Sequence, residues 1–185
     1  MIPRPSRGRG GRGRLRAILD HPYADDLAAA GHRELRGSGL LDGLRDWLVV
    51  CDHAALAAFV TLPSEAVAAA WRAFAATEGY PAFCRDAFGE VLRPGPITRA
   101  PRGMREDGLL RTWSLACHSL GLDPRRPREL PWLFRADAEL GWPDGLSWEL
   151  TGDIPAVRRS GPREPTTICA WSPIPEVEMV SRYHL

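Results

Sequence analysis

The residues best equipped for chemistry in this 185-residue chain are four cysteines, five histidines and a large set of arginines. Cys51, Cys84 and Cys117, with His53 and His118 beside two of them, are the ligand types that zinc takes. Their spacing argues against a metal centre. Zinc sites draw on short-spaced residues that converge, whereas Cys51 and His53 would point about 200° apart on a helix and Cys117 and His118 are adjacent. All three cysteines fall on apolar helix faces, where a thiol behaves as a small hydrophobe. The fourth, Cys169, stands far from the others, and widely spaced free thiols fit a cytoplasmic protein. No metal and no cofactor is expected.

Asp107, Arg111, Ser114 and His118 would align on one face of a helix, which puts a serine, a histidine and an acid together. A single regular helix supplies neither an oxyanion hole nor a strained, exposed nucleophile. The expectation is a solvated polar face, with no catalytic residue assigned. Nothing marks His21 or His32 as a base. The stretch "RGRGGRGR" is no phosphate loop, because such loops need a lysine and the chain has none.

All 24 basic residues other than histidine are arginine, and lysine, asparagine and glutamine are absent. Alanine, arginine, glycine and proline, all with GC-rich codons, fill 83 positions, so a GC-rich coding sequence explains much of the arginine content. Distribution says more than density. Residues 1–16 hold Arg4, Arg7, Arg9, Arg12, Arg14 and Arg16 without one acid, while residues 20–90 hold eleven acids against five arginines. Such an arm is expected to be disordered alone and to contact phosphates without reading sequence, or an acidic surface, including the chain's own.

The stretch "LAAFVTLPSEAVAAAW" (56–71) has the cadence of a helix-turn-helix, with Val67 as its buried valine and Leu62 as the turn's apolar plug. The second helix, however, offers Ser64, Glu65 and alanines before reaching Arg72, little with which to read base edges. A structural hairpin is the better expectation. Arg125 and Arg126 in "DPRRPREL", with Trp132 and Trp142 nearby, combine the residue types that anchor protein interfaces, and packing over a small sheet is the competing role for the tryptophans.

These residues need elements to hold them. Apolar periodicity predicts an amphipathic helix over 38–60 and a second after Ser64, its N-cap, ending at Gly79. A third covers "YPAFCRDAFGEVLRP" up to Pro94. Residues 93–103 form a loop; a fourth helix runs from Met104 to Leu120 with Leu110, Trp113, Cys117 and Leu120 on one side, and a short one spans 130–140. "LSWEL" (146–150) alternates as a strand, and "TTICAW" and "VEMVSRY" read equally well as further strands or as part of a poorly ordered tail. No stretch is apolar enough to span a membrane.

The expected fold is mainly α, a helical bundle of about five to six helices with a small antiparallel β addition at the C-terminus. Its organisation is an Arg/Gly-rich arm (1–16), a helical domain (17–150) and a Pro-rich connection with a hairpin or tail (151–185). The leading functional expectation is a non-enzymatic bacterial accessory module that binds a protein partner through Arg125, Arg126, Trp132 and Trp142. The alternative is a nucleic-acid-associated regulator using the arm, the 56–71 hairpin and Arg72. A third is an enzyme whose site the sequence does not display.

Overall fold

The computed structural model describes residues 10–54, 59–93, 102–151 and 154–159. The fold is mainly α, a helical bundle with a small C-terminal β addition. Seven α-helices are described: α1 Gly10–Leu19, α2 Tyr23–Ala29, α3 Ser38–Ala54, α4 Glu65–Ala75, α5 Tyr80–Phe88, α6 Arg102–Ser119 and α7 Trp132–Glu139. A 3-10 turn, Arg33–Leu35, leads into α3, and β1 (Leu146–Thr151) pairs antiparallel with β2 (Ile154–Arg159), Trp148 opposite Val157.

Helix α3 is the axis of the bundle, packing against α1, α4, α6 and α7. Two glycines one helical turn apart make this close approach fit. A Cβ on Gly43 would lie 2.7 Å from Val67 Cγ2, and one on Gly39 would lie 3.0 Å from the Trp132 ring. The Trp132 indole fills that groove and donates to the Gly39 carbonyl at 2.8 Å. Apolar side chains of every helix close the core: Ile18, Leu27, Leu44, Leu48, Val67, Phe74, Phe83, Trp113 and Phe134 are all buried. Burial of such side chains is worth roughly 1.5–3 kcal/mol each.

Several boundaries depart from the periodicity, each for a local reason. The helix expected over 38–60 is described as far as Ala54, residues 55–58 lie outside the described residues, and residues 59–64 run without helical structure. Thr61 is held there by α6: its N–H donates to Gly108 O and Thr112 Oγ1, and its carbonyl accepts from Thr112 Oγ1 at 2.8 Å. Gly108 permits the approach, since a Cβ would sit 2.5 Å from Thr61 Oγ1. Ser64 caps α4 as expected, its Oγ accepting from Val67 N at 3.1 Å. Helix α4 stops at Ala75, before Gly79, which instead opens α5; Gly89, in the left-handed region, closes α5 ahead of Pro94.

On α6 the buried side comprises Thr112, Trp113, Ser114, Ala116 and Cys117, whereas Leu120 is exposed. Ser114 therefore leaves the solvated face expected for it. The arm also differs from expectation, because residues 10–16 belong to α1, which packs on α5 and α3. Residues 1–9 lie outside the described residues, as do "TTICAW" and "VEMVSRY". The strand that pairs with β1 comes from "IPAVRR", within the stretch read as a Pro-rich connection.

Candidate functional site: the arginine loop between α6 and α7

The connection from α6 to α7 is fastened along its length. Gly121, at φ +67°, ends α6 with a paired cap in which Gly121 N donates to His118 O and Leu122 N to Cys117 O. Asp123 then turns the chain: its carboxylate accepts from Arg125 N at 2.9 Å and its carbonyl from Arg126 N at 3.1 Å. The fully buried Trp113 donates its indole N–H to Pro124 O at 3.0 Å. Pro127 and Pro131 are both buried, and Pro131 starts α7. Three proline rings remove backbone freedom that a loop of this length would otherwise keep.

Arg125, Arg126 and Arg128 are exposed on this framework. Pro127 turns inward between Arg126 and Arg128, so two guanidinium groups flank one buried ring and face solvent. The two tryptophans expected beside them are placed differently. Trp132 is half-buried in the α3–α7 groove with Arg135 over its ring at 5.6 Å, and Trp142 is half-buried against the core. Both contribute to packing, and the loop arginines contribute the exposed chemistry.

The residues of the nucleic-acid alternative are not gathered into one surface by the described structure. Arg4, Arg7 and Arg9 lie outside the described residues, and Arg12 sits in the first turns of α1. Arg16 pairs with Asp20 at 3.0 Å, and Arg14 lies near Gly89 and favours the charged form of Asp52. Arg72 is exposed near the end of α4. The N-terminus of α4, which a helix-turn-helix would aim at base edges, is closed by α7. Asp137 Oδ1 accepts from Ser64 Oγ at 2.6 Å and Ala66 N at 2.9 Å; Oδ2 accepts from Glu65 N at 2.9 Å and Leu146 N at 2.7 Å. Residues 56–58 of that reading lie outside the described residues, and the non-helical residues 59–64 are longer than the three- to four-residue turn of that motif.

Asp137 was not singled out by sequence, although a signal existed: it shares the apolar stripe of α7 with Leu133 and Phe134, where an unpaired acid would be costly. At 3% exposure it has four donors, the full capacity of a carboxylate. It ties α4, α7 and β1 together and leaves no lone pair for a ligand.

The other chemistry-bearing groups are similarly placed. Cys51, Cys84 and Cys117 are buried free thiols. Burial pushes the Cys51 thiol far up, and burial together with Asp123 pushes Cys117 up to about 12, so both stay protonated at neutral pH. Among the described residues no group of three or more His, Cys, Asp or Glu is arranged to hold a metal ion. His21 Nε2 donates to Asp26 Oδ2 at 2.8 Å, and the ring packs among Tyr23, Phe74 and Phe83. No helix among the described residues is long and apolar enough to cross a membrane.

Fold and loop together define a helical domain that presents arginines on a fastened connection. The chain belongs to the UCP032817-like family, whose profile matches residues 30–171. That range takes in the arginine loop and leaves out the arm. No curated protein and no solved structure matches the chain.

Proposed function

We propose that this protein is a non-enzymatic accessory module that binds a protein partner through the loop joining α6 to α7. The observation that carries this is the exposure of Arg125, Arg126 and Arg128 on a backbone held by Trp113, Asp123 and buried prolines. Arginine is enriched at interface anchors, and a loop already fixed in one conformation loses little entropy on binding. The polar groups that otherwise suggest chemistry take part in holding the fold: Asp137 and Ser64 at the head of α4, Thr112 against Thr61.

Affinity purification of the tagged chain from its own cells, alongside R125A/R126A, tests this. The wild-type protein should retain a partner that the variant loses while its melting curve stays the same. Equal recovery by both proteins would remove the loop from the interface. Trp132 is left unchanged, because truncating it would unpack α3 from α7.

A further inference from the structure

We infer that the loop's occupant is an acidic peptide segment, recognised through its carboxylates by Arg126 and Arg128. This rests on the proposed role of the loop as an interface and states what the partner presents there. The planar guanidinium forks carboxylates in a two-point contact, which fixes orientation as well as charge. Arg126 and Arg128 are both exposed on either side of the buried Pro127, so two cationic side chains lie two positions apart on one anchored stretch.

Charge favours a short acidic peptide over nucleic acid. Residues 17–185 hold 23 acids and 18 arginines, so the body offers no net positive field to follow a long phosphate backbone, and the loop arginines are a local patch. Arg16 of the N-terminal segment already pairs with the chain's own Asp20 at 3.0 Å. At the loop itself Asp123 holds its carboxylate against the Arg125 amide at 2.9 Å, so one adjacent acid is held on the backbone. A few carboxylates meeting two or three arginines fit this local, bounded patch.

Fluorescence anisotropy of a labelled peptide of alternating Glu and Ser, titrated with the full chain at low salt, tests the inference. A Gln/Ser peptide and a DNA duplex serve as comparison probes. Wild-type protein should bind the Glu/Ser peptide saturably, and R126A/R128A should weaken it by about tenfold or more. R33A/R36A, which removes two exposed arginines elsewhere, should bind like wild type. No saturable binding, equal binding by all three proteins, or tighter binding of duplex DNA that depends on Arg126 and Arg128 would each overturn it. If the peptide fails while the native partner still requires the loop arginines, the partner's chemistry is wrong and the interface stands. If neither depends on the loop, both fall.

Discussion

Asp137 shows how one side chain can decide the arrangement of three elements. Replacing it with Asn would turn one acceptor oxygen into a donor facing two further donors, whichever way the amide is placed. Asp137→Asn should therefore lower stability by about 3 kcal/mol or more, measured by denaturant unfolding. Asp46 makes the opposite case. Burial, and then repulsion from Asp42, raises its pKa to about 6. Such a group contributes stability below its unfolded pKa that is lost as pH rises through the folded value, so above pH 6 its charge works against the fold. Asp46→Asn should stabilise the protein at pH 7.5 by about 1 kcal/mol, discounted for partial exposure, and should change nothing near pH 3. Equal effects at both pH values would contradict this.

At the level of elements, close packing overrides helix propensity. Alanine normally improves a helix over glycine by about 1 kcal/mol. Gly43→Ala should instead destabilise by about 1–3 kcal/mol, because its methyl meets Val67 at 2.7 Å. Gly13→Ala on α1, where nothing lies within 4 Å, should show the ordinary gain. Thermal melts of the two variants should move in opposite directions. The same contrast explains which elements were legible in the sequence. Ser64 and α4 were readable because cap and apolar stripe are local. Residues 59 and 60 read as the end of a helix but are non-helical, beside Thr61, which Gly108 and Thr112, some fifty positions away, hold in place. Likewise "IPAVRR" has no alternation to announce it, and becomes a strand because β1 offers it a ladder.

For the whole molecule, the candidate site was half legible. Arg125 and Arg126 were visible as residue types, but what distinguishes them from a solvated run is the anchoring by Trp113 and Pro127. Trp132 and Trp142 carried the same compositional signal and are half-buried against the core, Trp132 in a groove that glycines on α3 open and that only the folded bundle defines. The arginine-rich N-terminus also changes meaning once α1 is seen to bury Ile18 and to offer its carbonyl to Tyr23 Oη at 2.8 Å. Deleting residues through Leu19 should lower Tm by about 5–10 °C, from the loss of one buried Ile and one buried hydrogen bond. An unchanged Tm would mean that α1 does not support the core.

If the arginine loop is an interface, it is held rigid before any partner arrives. Backbone 15N relaxation of the free protein tests this directly at Arg125, Arg126 and Arg128. Order parameters of about 0.85, level with those of α6 and α7, are expected for a fastened loop. Values below about 0.6 at these three amides, with the helices still rigid, would show that the anchors do not hold and that the loop is an ordinary mobile charge run.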